Sequence, residues 1–126
     1  MASHKPTTVW RAHSGQLAIP TMILAAFVVV AFAVVMVLGL AGGIELWTGM
    51  LINSVVAYLA FTPMHEASHG NVSGKHRQLR WLNEAVGWLC GAVMLAGFPA
   101  FKALHLRHHS HTNDPDLDVD HWVAGK

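Results

Sequence analysis

The sequence AVGWLCGAVMLAGFPAF, residues 85–101, decides the architecture of this chain. It is bounded by Asn83 and Glu84 before it and by Lys102 after it, with Gly87, Gly91 and Gly97 inside and Pro99 near its end. A helix that crosses the ~30 Å hydrocarbon layer takes ~17 to 25 apolar residues, so this stretch of 17 residues sits at the lower limit. Its neighbours favour one reading over the other. His65 and His69 precede it, and His105, His108 and His109 follow it. If the segment crossed the bilayer, the two histidine clusters would face opposite sides and could share no site. A re-entrant or interfacial segment keeps them together, and backbone of that kind is tolerated where protein covers it.

Working outward, the chain reads as an integral membrane protein. Of its 126 residues 53% are hydrophobic and 12% charged, and the mean hydropathy is +0.40, outside the usual range for a soluble domain. Residues 17–41 contain no charged side chain and are long enough for a first span, with Pro20 near the first turn, where a missing amide hydrogen does little harm. The run is longer than the apolar core of a signal peptide. A short break at residues 41–45 leads into a second apolar run, residues 46–64, so the two make a helical hairpin. Lys5 and Arg11 precede the hairpin, Lys75, Arg77 and Arg80 follow it, and the turn between has Glu45 and no basic residue. That asymmetry predicts cytoplasmic ends, with residues 1–16 as a cytoplasmic tail. Residues 65–84 then carry the first histidine cluster and a linker, and residues 102–126 the second cluster and an acidic loop.

The expected fold class is therefore all-α: two spanning helices plus a short re-entrant or interfacial segment, with both histidine clusters on the cytoplasmic side. The net charge of +1 gives no argument for nucleic acid, and the single cysteine, Cys90, can form no internal disulfide. Trp81, Trp88 and Trp122 are expected as interfacial anchors.

The histidines carry the chemistry. On a helix, residues three and four apart share a side, so His65 with His69, and His105 with His108 and His109, aim their imidazoles together. Imidazoles on two inward faces are costly to bury unless a metal or a hydrogen-bond network holds them. Nitrogen donors suit iron, zinc, copper and nickel, whereas calcium or magnesium would call for carboxylates. His4, His13 and His121 stand alone and read as interfacial side chains. His76 and His111 lie near the clusters and are open between surface residue and ligand. The aspartates at 114, 116, 118 and 120 read as a solvated loop, with Asn113 or Asp114 able to hydrogen-bond a ligand imidazole.

The spellings HxxxH at 65–69 and HxxHH at 105–109, followed by His111, Thr112, Asn113, Asp114, Pro115 and Asp116, resemble the membrane fatty acid desaturase superfamily. The resemblance covers about residues 20–120. It implies a non-haem centre of two irons held by His65, His69, His105, His108 and His109, with O2 as co-substrate, and a lipid-modifying oxidoreductase that desaturates a fatty acyl chain in the membrane. It also implies an electron donor such as ferredoxin or cytochrome b5 with its reductase. A carotenoid hydroxylase or ketolase of the same superfamily is the alternative. Members of the superfamily carry a third histidine box, and past His111 this sequence has only His121. The expectation is an N-terminal part of a longer enzyme, inactive alone.

Two readings of other classes stand beside it. His65, Glu66 and His69 match the HExxH pattern, in which two histidines hold zinc and the glutamate is general base, so an intramembrane zinc peptidase is one. The other is a non-catalytic membrane metal-binding protein.

Overall fold

The computed structural model describes residues 15–119 and 121. These fold into four α-helices, with no strand among the described residues. Residues 1–14 of the expected tail, and with them His4 and His13, lie outside these, as do Asp120 and Trp122.

Helix α1, Ile19–Leu40, and helix α2, Leu46–Ser68, are each long and apolar enough to cross a membrane. At ~1.5 Å per residue their 22 and 23 residues extend over about 33 and 35 Å. Val30, Val37, Leu51 and Tyr58 are exposed on their outer faces, as expected of side chains that meet lipid. Ala25 and Val28 of α1 and Val56, Ala60, Met64 and Ala67 of α2 are buried in the core. Small residues let the backbones approach closely, which is what holds helices together when no water is excluded.

Past α2 the chain runs through a linker and a short 3-10 turn, Arg77–Leu79, into α3, Trp81–Val93. The linker is fastened from inside. Asn83 is buried, and its Oδ1 accepts hydrogen bonds from the backbone N–H groups of Val72 (3.0 Å) and Ser73 (3.3 Å). Its Nδ2 donates to Ser73 Oγ (2.8 Å) and the Arg80 carbonyl (3.2 Å). The Val72 carbonyl in turn accepts from Ala18 N at 3.1 Å, which ties the start of α1 to the same linker.

After α3 the chain bends by 106° into α4, Phe98–Ser110. Leu95 takes a left-handed conformation at the bend (φ 56°) and is 91% exposed. Phe98 is fully buried against α3. A Cβ at Gly87 would land in the Phe98 ring, and one at Gly91 would sit 2.7 Å from the Ala96 carbonyl, so both positions have room only for glycine. These two glycines lie one turn apart on one face of α3 and form the seat for the ring.

The two ends of residues 85–101 meet: Lys102 Nζ lies 2.7 Å from Glu84 Oε1. A spanning segment of that length would separate them by about 25 Å. The segment leaves and returns, as the histidine chemistry required, and the all-helical hairpin plus returning segment is the fold.

Candidate metal centre

The first cluster rides on the last turn of α2. Pro63 stands two residues ahead of His65, and its missing N–H leaves the Leu59 carbonyl without its usual helical partner. Ser68 Oγ donates to the His65 carbonyl at 2.6 Å, and His69 caps the helix. The second cluster rides on α4, which the bend brings back beside the end of α2.

Four imidazoles converge: His65, His69, His105 and His109 each offer a nitrogen within 4.8 Å of the others. His105 Nε2 is 2.9 Å from His69 Nε2 and 3.1 Å from His109 Nε2. Ring centroids of His65 and His105 are 4.5 Å apart. Burial lowers the His69 pKa from its ordinary value, helped by His65 and His109, which favours the neutral imidazole that a cation needs.

Donor chemistry and spacing both fit a transition metal. Nitrogens bound at about 2.1 Å to one ion are about 3.0 Å apart when adjacent and about 4.2 Å when opposite. The two short separations match adjacent ligands. The widest, 4.8 Å, exceeds what one ion spans, so the set either contracts around a single ion or divides between two.

His108 stands apart from this group. Going round the helix, it lies about 60° from His105 and about 100° from His109. Its Nδ1 lies 2.7 Å from Oδ1 of Asp118, whose side chain is 2% exposed. Of the remaining histidines, His76 is exposed on the linker, and His111 Nδ1 lies 3.2 Å from the Arg107 carbonyl, closing α4. Neither joins the four.

The residues around the cluster divide it into a wet and a dry side. Glu66 Oε1 lies 3.3 Å from His65 Nδ1, and its Oε2 accepts from Asn71 Nδ2 at 2.8 Å. Beside them opens a cleft of about 870 Å³, lined by Glu66, His69, Asn71, Arg80, Glu84 and Lys102 among others. On the apolar side, Phe101 stacks on His105 (5.2 Å between centroids, 8°), Phe61 lies 5.8 Å from His65, and the two phenylalanines meet edge to face at 5.9 Å.

That arrangement exposes a pattern the sequence held unread. Phe61, His65 and His69 on α2, and Phe101, His105 and His109 on α4, have the same four-residue spacing. Each triplet forms one stripe, and the stripes face each other. The spacing also separates His108 from its neighbours, because it is out of register with the stripe. Asp118 is the other residue that the sequence did not single out; an acidic run predicts a solvated loop, and this carboxylate is buried.

Comparison with known proteins agrees with the geometry. The fatty acid desaturase family model matches residues 43–125, which include both histidine clusters. Over 73 residues, 58% of this chain and 18% of the relative, the sequence is 32% identical to an sn-1 oleoyl-lipid 12-desaturase of Synechocystis sp.. Over 83 residues, 62% of this chain and 21% of the relative, it is 31% identical to a Delta(12) fatty acid desaturase of Caenorhabditis elegans. A Delta(9) fatty acid conjugase-like enzyme of Dimorphotheca sinuata is 37% identical over 57 residues, 45% of this chain and 14% of that protein. The chain thus spans about a fifth of the length of the first two. No solved structure matches it significantly. Two facing histidine stripes in a membrane protein, inside the matched residues, fit one assignment: the chain belongs to the fatty acid desaturase family.

Proposed function

We propose that this chain contributes His65, His69, His105, His108 and His109 to a non-haem di-iron centre that desaturates a fatty acyl chain in the membrane. The observation that carries the reading is the convergence of four imidazole donors, from both matched boxes, at metal-ligand separations. When bound, two irons and O2 supply the oxidant that removes hydrogen from an unactivated carbon–hydrogen bond.

The protein's own part is holding, orienting and excluding water. Neutral imidazoles add no negative charge, so bound cations keep their full charge. Phe61 and Phe101 cover the apolar side of the cluster, where an acyl chain approaches from lipid. The cleft on the other side opens the cluster to polar partners. Lys75, Arg77 and Arg80, all exposed, favour a cytoplasmic position for that side, with α1 and α2 both crossing the bilayer. Electrons come from a separate carrier of the ferredoxin or cytochrome b5 type. Five imidazoles are too few to enclose two ions, so a complete centre needs further donors. The acyl-lipid reading is preferred to a carotenoid substrate because the relatives above are named for fatty acid chemistry.

Elemental analysis tests this on protein purified in detergent, for the chain itself and for a version extended through the sequence that follows it in the genome. Two irons in the extended protein, and less than one in the chain alone, are expected. One zinc in both, retained after His105→Ala and His109→Ala, would overturn the reading in favour of the HExxH peptidase.

A further inference from the structure

We infer that Asp118 is a positioning residue that sets His108 for metal binding, at a position beside the four-histidine cluster. This rests on the proposed metal centre and goes beyond it by giving a role to a residue of the acidic loop.

Asp118 is 7% exposed as a residue, the one buried acid among the described residues. A carboxylate is withdrawn from water at a cost of several kcal/mol unless its oxygens are satisfied. Both are. Oδ2 accepts the backbone N–H of Asn113 at 2.8 Å, and Oδ1 meets His108 Nδ1 at 2.7 Å, a length typical of a charge-assisted hydrogen bond.

The loop is built to deliver that carboxylate. Asn113 turns the chain in a left-handed conformation (φ 66°). Asp114 Oδ1 accepts the N–H groups of Asp116 (2.9 Å) and Leu117 (3.0 Å), which holds its carboxyl below the usual pKa. Arg107 Nε donates to the Leu117 carbonyl at 2.9 Å and pins the far side of the loop to α4, one residue before His108. Of the three aspartates among the described residues, Asp116 is exposed, Asp114 forms a turn and Asp118 meets the His108 imidazole.

The chemical consequence concerns the tautomer. A carboxylate can only accept, so Nδ1 of His108 must donate, and the lone pair is left on Nε2. Metal-ligating histidines are held in this manner: the second nitrogen is engaged by a carboxylate or carbonyl, which orients the ring and raises its basicity. Glu66 stands in the same relation to His65 Nδ1 in the first box, at 3.3 Å. Each box therefore has one histidine backed by a carboxylate. The His108 ring lies 5.7 Å from that of His109, close enough for a cation on His108 to neighbour the four-histidine site without occupying it.

Two measurements on the full chain in detergent test this. In the metal-free protein with 15N-labelled histidine, His108 is expected as the Nδ1–H tautomer at neutral pH; an Nε2–H tautomer overturns the inference. Cobalt(II) titration then reads the sites. Wild type is expected to fill the four-histidine site first and a weaker position second. Asp118→Asn should weaken the second step by about 10- to 100-fold and leave the first unchanged. His108→Ala should abolish the second step alone, and Asp116→Asn should change neither. A merely structural Asp118 would weaken both steps or neither, and either result overturns the assignment. Loss of the second step with the first intact supports it. Absence of the first step in wild type overturns the metal centre itself, which separates that failure from this one.

Discussion

The α1–α2 hairpin and the α3–α4 return are held together in different ways. In the hairpin most of the apolar surface faces outward: Val30 is 60% exposed, Val37 64% and Tyr58 81%. Where its far half meets the tip of α3, a cavity of about 380 Å³ remains, lined by Val35, Met36, Gly39, Gly49, Asn53 and Met94 among others. The return is held by specific interlocks. Phe98 is fully buried on a seat of two glycines, and the Asn83 side chain makes four hydrogen bonds. Lipid can replace an apolar helix face, because acyl chains are as apolar as the side chains they cover. It cannot replace an interlock. The hairpin therefore sets depth in the membrane, and the return sets the distance between the two histidine stripes.

The largest effect is expected at the seat. Phe98→Ala should cost about 3–5 kcal/mol, the range for deleting a buried aromatic, measured by denaturant or thermal unfolding in detergent. The same variant should weaken cobalt uptake by the four histidines, since α4 loses its stop. Val34→Ala, a truncation at a half-exposed position of α1, should cost almost nothing by the same assay. If the two costs proved equal, the distinction between hairpin and return would collapse. Gly87→Ala approaches the same seat from the other side, and overpacking there should cost about 1–3 kcal/mol.

Asn83→Ala comes next. It strands the buried N–H groups of Val72 and Ser73, for about 2–3 kcal/mol, within the range for unsatisfied buried donors. Asn83 also shows where sequence reading stops. In the sequence it is a polar residue at the edge of an apolar run, and nothing local marks it as the hub of the linker. The two long helices were legible because an uncharged run of sufficient length has few other fates. The return was legible in its existence, through the need to bring two histidine clusters to one side, but not in its mechanism. Seating Phe98 on Gly87 and Gly91 depends on a bend angle that periodicity does not encode. In the site, the four-residue spacing of His65 with His69 and of His105 with His109 placed each pair on one face. The same reading grouped His108 with His105 and His109, and the structure corrects it: a three-residue offset from His105 turns His108 about 60° off the stripe, toward Asp118. Asp118 was not legible, because a turn ten residues downstream of His108 carries it back, and composition alone reads that stretch as solvent-exposed.

The smallest effect tests the return at its mouth. Lys102 and Glu84 are 35% and 53% exposed as side chains, and their 2.7 Å contact lies at the polar edge of the fold. An exposed ion pair contributes about 0–1 kcal/mol, screened further by salt. Lys102→Met should therefore lower stability by less than about 1 kcal/mol, and the difference from wild type should shrink as ionic strength rises. The new side chain can still pack over the Phe98 ring, above which Lys102 Nζ now lies at 5.6 Å. A loss as large as that of Phe98→Ala would mean that charge, rather than the aromatic seat, closes the segment. In that case the return would open in high salt, the histidine stripes would separate with it, and cobalt affinity would fall with ionic strength in the wild-type chain. With the seat in control, that affinity stays flat.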